Sequence, residues 1–208
     1  MRASEVELCL KMMMKNKFKN IFTLLLMYSA YLLCRAQERT LPLNKTLNDS
    51  IKAGDYLKDL DNDYKPFVGT WIADYDDKII LIKIIKVSKR PARNGFREKE
   101  IKYFEDTLML QHKITDKNGK VIENYIHPNP NISKMVSYGF SKTRGIAHFH
   151  YDGVKCGVGS GGVDLKMADN KHLLWNYFPQ ETFTDRCPPE TDITVNLPEK
   201  ENLIFIKK

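Results

Sequence analysis

The chain has 208 residues and a formal net charge of +7. Residues 1–36 hold six of the 33 basic and two of the 26 acidic residues, so the remaining 27 basic and 24 acidic residues leave only +3. So small a net charge gives no reason to expect a nucleic-acid partner. The longest apolar run, residues 21–33, is shorter than the roughly 20 residues that a membrane-spanning helix needs.

The N-terminus has the three parts of a secretory signal: a basic segment, an apolar segment and a short cleavage region. The basic segment begins at Met14, and residues 1–13 carry two acids where a signal needs basic residues, so they suggest a mis-assigned start. Cleavage after Ala36 would leave Gln37 as the new N-terminus. Acylation of Cys34, which would give a lipid-anchored protein, is one alternative, and an uncleaved anchor is a less favoured one. We therefore expect an exported protein, periplasmic or extracellular.

We expect residues 37–65 to be a flexible, polar lead-in to the main domain, with a short helix or coil. Leu47, Ile51, Leu57 and Leu60 predict one face of a short helix there, although Gly54 weakens it.

From residue 66 onward, short β-branched and aromatic runs alternate with turn signals such as Asn118-Gly119, and they predict a single domain over 66–208. The predicted strands are residues 67–75, 78–87, 98–104, 108–115, 121–126, 134–140, 145–151, 163–167, 172–178, 193–197 and 203–206. Short antiparallel strands without crossover helices favour an all-β meander that closes into a lipocalin-like barrel or a strongly curled sheet.

Gly69-Thr70-Trp71 resembles the opening of the first strand in the calycin superfamily of lipocalins and fatty-acid-binding proteins. The resemblance implies that Trp71 closes one end of a barrel and that a basic residue from a late strand packs on it; Arg186 is the candidate. A longer stretch, with Tyr56-Leu57-Lys58-Asp59, Asn62 and Phe67, resembles a family of small exported Bacteroidetes proteins of unknown function. That resemblance implies an origin and a barrel-like fold, but no activity.

Two cysteines, Cys156 and Cys187, lie outside the leader. An even pair in an exported protein predicts a disulfide, which would close a loop of about 30 residues and contribute roughly 3–4 kcal/mol. Two unpaired thiols are the alternative.

Two patterns could bind a metal ion. His148 and His150 lie two residues apart on a predicted strand and therefore face the same side, as two zinc or copper ligands would. We favour the alternative that both are outer-face polar residues, with Phe149 pointing inward. Residues 59–63 begin like a calcium loop but lack its later glycine and glutamate, so we expect a turn there and no metal.

The glycine-rich segment 157–162 lacks the lysine of a phosphate-binding loop, and Val158 stands where a nucleophile elbow needs its first glycine. It therefore predicts a flexible loop between strands. A basic cluster around residues 86–99 predicts a solvated hairpin end, with contact to anionic glycans or lipid headgroups as the alternative.

Because no catalytic constellation is recognisable, we predict a non-enzymatic binding module without a cofactor. Its partner would be a small apolar or amphipathic ligand. One alternative is a structural or protein-contacting envelope or surface domain without a pocket, and a less favoured one is a metal-dependent enzyme using His148 and His150.

Overall fold

The computed structural model describes residues 38–95, 100–181 and 187–208, together with Thr23, Met27 and Tyr28. The predicted cleavage site at Ala36 and Gln37 and the acylation site at Cys34 lie outside the described residues, so they stay predictions. Two compact units are distinguished, Met1–Arg39 and Thr40–Lys208, and the second contains the fold described below.

The described residues form eleven strands joined by turns and short 3-10 segments. The strands are β1 (Thr40–Pro42), β2 (Tyr56–Lys58), β3 (Gly69–Tyr75), β4 (Lys78–Asn94), β5 (Ile101–Asp116), β6 (Val121–Asn124), β7 (Met135–Ser141), β8 (Ile146–Tyr151), β9 (Gly161–Met167), β10 (His172–Pro179) and β11 (Leu203–Lys207).

Eight of these strands close an antiparallel barrel. They follow one another around the ring in chain order, β3-β4-β5-β7-β8-β9-β10-β11, and β11 returns to β3 through Ile206 opposite Ile72. The contact between β5 and β7 is short, with Met109 opposite Val136. Closure removes the exposed sheet edges that a meander would otherwise leave. The predicted all-β barrel is therefore confirmed.

The three remaining strands extend the sheet at β5. β6 pairs antiparallel with the end of β5, while β2 pairs with its beginning and β1 with β2, both in parallel. The lead-in thus packs on the barrel wall. The helix expected between Leu47 and Leu60 was wrong: the chain makes 3-10 turns at Leu43–Lys45 and Asn48–Ser50 and then enters β2.

Side chains alternate along each ring strand, and the inward ones fill the barrel. Trp71, Trp175, Phe149 and Phe205 are each 0 % exposed. They pack with apolar side chains from all the remaining ring strands in one continuous core. The barrel interior is therefore a packed core, as expected for a small eight-stranded barrel.

A buried polar cluster fastens the lead-in to the sheet beside a β-bulge. Lys89 has a φ of +55°, and between Val87 and Arg90 the β4–β5 register shifts, so two residues of β4 face Asp106 alone. Asp106 accepts hydrogen bonds from the Lys89 backbone N–H and the Tyr56 hydroxyl. The bulge is stabilised by a carboxylate from the neighbouring strand.

Two strand predictions were wrong for this reason. We expected a turn at residues 105–107 between two strands and a loop at 89–95, whereas β5 runs unbroken and β4 continues through Asn94. The polar residues of 105–107 looked like a turn, but two of them are buried partners of other elements: Asp106 in the cluster above, and Thr107, which bonds the Ser137 carbonyl at 3.0 Å.

Trp71 is fully buried near the start of β3, and a basic residue of the last strand packs on it. Lys207 Nζ lies 5.0 Å from the Trp71 ring centroid, and the indole N–H donates to the Phe67 carbonyl at 2.9 Å. A Cβ at Gly69 would lie 3.1 Å from Lys207 Cε, at a φ of +145° that favours glycine. Glycine there lets the lysine reach the indole. Arg186, the residue expected in this role, lies outside the described residues.

Candidate functional site

An open cleft of about 630 Å³ lies at the barrel end opposite Trp71. We call it the mouth cleft. The strand directions place it there: the connections β3–β4, β8–β9 and β10–β11 all lie at this end. Its lining residues are Ile122, Glu123, Tyr125, Val154, Lys155, Cys156, Pro188, Glu190, Thr191, Asp192, Thr194 and Asn196.

The cleft does not continue into the barrel. Beneath it lies a cavity of only about 10 Å³, bordered by Tyr151, Val158 and Leu197 among others. That is roughly the space of one water molecule. The segment around Leu197, which is 4 % exposed, therefore plugs the barrel mouth. We had predicted a strand at residues 193–197, and this was wrong: no strand is formed there.

A hydrogen-bonded chain of polar side chains runs from the barrel interior to the cleft. His112 is 1 % exposed, and its Nε2 lies 3.1 Å from Glu123 Oε2. Asn196 Nδ2 donates to Glu123 Oε1 at 2.8 Å, and Lys78 Nζ donates to Asn196 Oδ1 at 3.1 Å. These contacts bind β6 and the plug to the barrel wall.

The contacts of Glu123 favour its ionised form. Its burial alone would raise the pKa, but the hydrogen bonds from His112 and Asn196 outweigh burial and leave the pKa lowered. An ionised carboxylate only accepts hydrogen bonds, so the Nε2 atom of His112 carries a proton and donates. The His112 ring also packs on Tyr125 and Tyr151, with centroids 5.0 and 6.0 Å away.

The cleft is acidic at its rim. Glu123, Glu190 and Asp192 line it together with a single lysine, Lys155. Hydrogen bonds from the side chain and backbone N–H of Thr194 lower the pKa of Asp192, which keeps this carboxylate charged. Apolar walls next to charged carboxylates suit a ligand with an apolar body and a cationic group.

His148 and His150 lie on the outer face of β8, with Phe149 between them buried in the core. His148 Nδ1 is 2.6 Å from Asp164 Oδ1, and His150 Nε2 is 3.3 Å from Asp152 Oδ1. Each imidazole thus has its own carboxylate. Among the described residues, no group of three or more His, Cys, Asp or Glu side chains is placed to hold a metal ion.

The calcium-like pattern is used for structural contacts. Asp59 is 4 % exposed and accepts the Tyr64 backbone N–H at 3.2 Å. Asp61 pairs with Lys142 at 2.6 Å and with Lys45 at 2.8 Å, and these contacts lower its pKa to about 2. The residues form a turn, as the missing glycine and glutamate indicated.

Cys156 lies on the wall of the mouth cleft with an exposed thiol, and Cys187 directly precedes another lining residue, Pro188. The structure does not contain the disulfide predicted between the two cysteines, and the pairing stays a prediction. The neighbouring glycine-rich segment is not a free loop throughout: Val158 is 2 % exposed, and Gly161 begins β9.

The family of the chain can be stated from its sequence. A family of unknown function, DUF6705, matches residues 14–208. The chain belongs to this family. Searches of curated proteins and of solved structures found no match. In the described part of the chain, no helix has the length and hydropathy needed to cross a membrane.

Sequence reasoning did not identify Glu123, His112 or Asn196 as site residues. One signal was present: His112 occupies an inward position of β5 in register with Leu108, Leu110 and Ile114, where an apolar residue is expected. A buried polar group needs a partner, which pointed to a network that the sequence could not locate.

Proposed function

We propose that this protein is an exported, non-enzymatic binding module that holds a small amphipathic molecule in the mouth cleft and not inside the barrel. The observation that carries the proposal is an open cleft of about 630 Å³ next to a packed interior. Sites for small molecules commonly measure roughly 300–1,000 Å³. Support for export comes from the sequence of residues 14–36.

The lining chemistry narrows the ligand class. Ile122, Val154 and Pro188 offer apolar surface, and Tyr125 offers an aromatic ring that attracts cations. Because the cleft is lined by three carboxylates and only one lysine, it favours a ligand with a positively charged head group. We therefore propose a ligand with an aliphatic or aromatic body and an amine.

The experiment is a calorimetric titration of the full chain with octylamine and, as the matched anion, with octanoate. We expect octylamine to bind more tightly. Combining Glu190→Gln with Asp192→Asn should weaken octylamine binding about two- to thirtyfold, since each exposed charge contributes roughly 0.2–1 kcal/mol. Asp169→Asn, an exposed carboxylate outside the cleft, is the control and should leave the affinity unchanged.

Octanoate binding as tightly as octylamine would contradict the cationic ligand class. If neither compound binds and the purified chain carries no ligand, a structural or protein-contacting domain becomes the better account. Stoichiometric zinc or copper lost on replacing His148 and His150 by alanine would favour the metal-dependent enzyme instead.

A further inference from the structure

A second concave surface lies on the outer wall, where the β4–β5 ribbon leaves the barrel. β5 pairs with β7 only near Met109, and the ribbon beyond that point diverges from β7. The resulting groove of about 480 Å³ is separate from the mouth cleft, and we call it the ribbon groove. Its lining residues are Arg90, Pro91, Ala92, Arg93, Tyr103, Glu105, Val136, Ser137, Tyr138 and His150.

The side chain of Arg90 is the group in this groove that is suited to bind an anionic ligand. Its side chain is half-buried, and it lies opposite Glu105 in the β4–β5 register. Yet none of the described residues accepts a hydrogen bond from its guanidinium or forms an ion pair with it within 4 Å. Arg93, by contrast, pairs with Glu100 at 3.3 Å. A guanidinium has five N–H donors in a planar fork that fits a carboxylate or phosphate bidentately.

Glu105 attracts Arg90 through its charge, but no hydrogen bond or ion pair within 4 Å joins the two side chains. The Glu105 carboxylate accepts the Tyr103 hydroxyl at 3.3 Å. Burial raises the pKa of Glu105, while the hydrogen bond from Tyr103 and the nearby positive charge of Arg90 act to lower it. Burial, together with Glu105, also raises the pKa of Tyr103 to about 12, so the phenol stays protonated. Its one hydrogen is directed at Glu105, and its oxygen can accept a hydrogen bond from a ligand hydroxyl.

Aromatic rings add a second recognition element. Tyr138 is 70 % exposed, and its ring lies 6.0 Å from that of His148, tilted by 31°. Because His148 restrains the Tyr138 ring, a ligand that packs on this large apolar surface pays little entropy to order it. A pyranose ring has C–H groups on one face and hydroxyls around its edge. Such a molecule would match a tyrosine surface surrounded by Tyr103, Glu105 and His150 as hydrogen-bonding groups.

We propose that the ribbon groove binds an acidic saccharide, with the sugar's anionic group on Arg90 and a ring face on Tyr138. A sugar carboxylate satisfies the guanidinium, and the tyrosine provides the contact that a bare anion cannot use. This site is independent of the mouth cleft, so either proposal can fail without the other.

The test is a calorimetric titration of the full chain with a galacturonic acid disaccharide. The neutral galactose disaccharide of the same linkage and inorganic phosphate are titrated alongside. We expect the acidic disaccharide to bind, the neutral one to bind at least tenfold more weakly, and phosphate more weakly than the acidic disaccharide. Arg90→Ala should weaken binding of the acidic sugar about ten- to hundredfold, the equivalent of losing a charge-assisted hydrogen bond.

Further variants separate the contributions. Arg90→Lys keeps the charge but not the planar fork and should restore only part of the affinity. Tyr138→Ala should weaken saccharide binding without changing phosphate binding. Arg144→Ala removes an exposed arginine outside the groove and should change neither. Circular dichroism of each variant confirms that the barrel is intact.

Phosphate binding as tight as the acidic disaccharide would overturn the saccharide class and leave a simple anion site. Equal binding of neutral and acidic sugars would overturn the role of Arg90. If the wild-type chain binds none of the three probes at millimolar concentration, the ribbon groove is not a ligand site of this kind.

Discussion

The buried cluster at the β4 bulge yields a prediction of stability. Asp106 is 2 % exposed and accepts four hydrogen bonds or ion contacts. Oδ1 receives the Tyr56 hydroxyl and the Lys89 N–H, while Oδ2 receives the Asp59 N–H at 3.1 Å and lies 3.3 Å from Lys86 Nζ. Asp106→Asn is nearly isosteric but replaces one of the two acceptor oxygens with a donor.

The expected loss of stability follows from the number of contacts that Asp106 makes. Two of the four contacts are lost, and hydrogen bonds to charged groups contribute roughly 1.5–3 kcal/mol each. Lys86 keeps its contact to Asp59 at 2.8 Å, which reduces the loss. We therefore expect the free energy of unfolding to fall by about 3 kcal/mol, the lower end of that range, measured by urea denaturation at neutral pH.

The same substitution at an exposed site is the control. Asp74→Asn, whose side chain is 71 % exposed and pairs with Lys117, should change the free energy of unfolding by less than about 0.5 kcal/mol. If Asp106→Asn lowers the free energy of unfolding by no more than this control does, the cluster does not hold the bulge as described.

The cluster also predicts a pH dependence. Burial alone would raise the pKa of Asp106, but its hydrogen bonds from Tyr56 and from the backbone of Asp59 and Lys89 lower it. Its contribution to stability is therefore complete above its ordinary pKa of 3.8 and is lost as the pH falls through the folded value. Below about pH 4, the difference between wild type and Asp106→Asn should shrink.

Three other predictions concern the barrel ends and core. Lys207→Met removes the cation over Trp71 and should lower the free energy of unfolding by about 0.5–1 kcal/mol in urea, while Lys208→Met leaves it unchanged. Phe205→Ala empties a fully buried position and should cost about 3–5 kcal/mol in the same assay; a loss below 1 kcal/mol would contradict the packed interior. Because the pKa of Glu123 is lowered, its stabilisation is lost as the pH falls below its ordinary 4.5, so thermal unfolding of Glu123→Gln should respond less to acid than that of wild type. An unchanged acid response would contradict that role.

Most ring strands were predictable because their determinants are local. Alternating apolar residues set the inward face, and turn signals such as Asn118-Gly119 marked where the chain reverses. β5 was divided wrongly because Asp106 and Thr107 are typical turn residues whose partners, Tyr56 and Ser137, are distant in sequence. A propensity argument does not include such partners.

The segment around Leu197 that plugs the barrel mouth and the two candidate sites were harder to predict from the sequence, for a related reason. Residues 193–197 have the composition of a strand but no neighbouring strand to pair with, so Leu197 contributes to the core from an irregular segment. Lys207 was overlooked because its contact with Trp71 depends on the β11–β3 closure. Clefts likewise form between segments that only the tertiary fold brings together, so composition does not reveal them.

The most direct test of the central claim is native mass spectrometry of the full chain purified from an oxidising compartment. We predict an added mass of a few hundred daltons that denaturation releases and that combined Glu190→Gln and Asp192→Asn reduces. A bare polypeptide mass, or an added mass that these two substitutions leave unchanged, would contradict ligand binding in the mouth cleft.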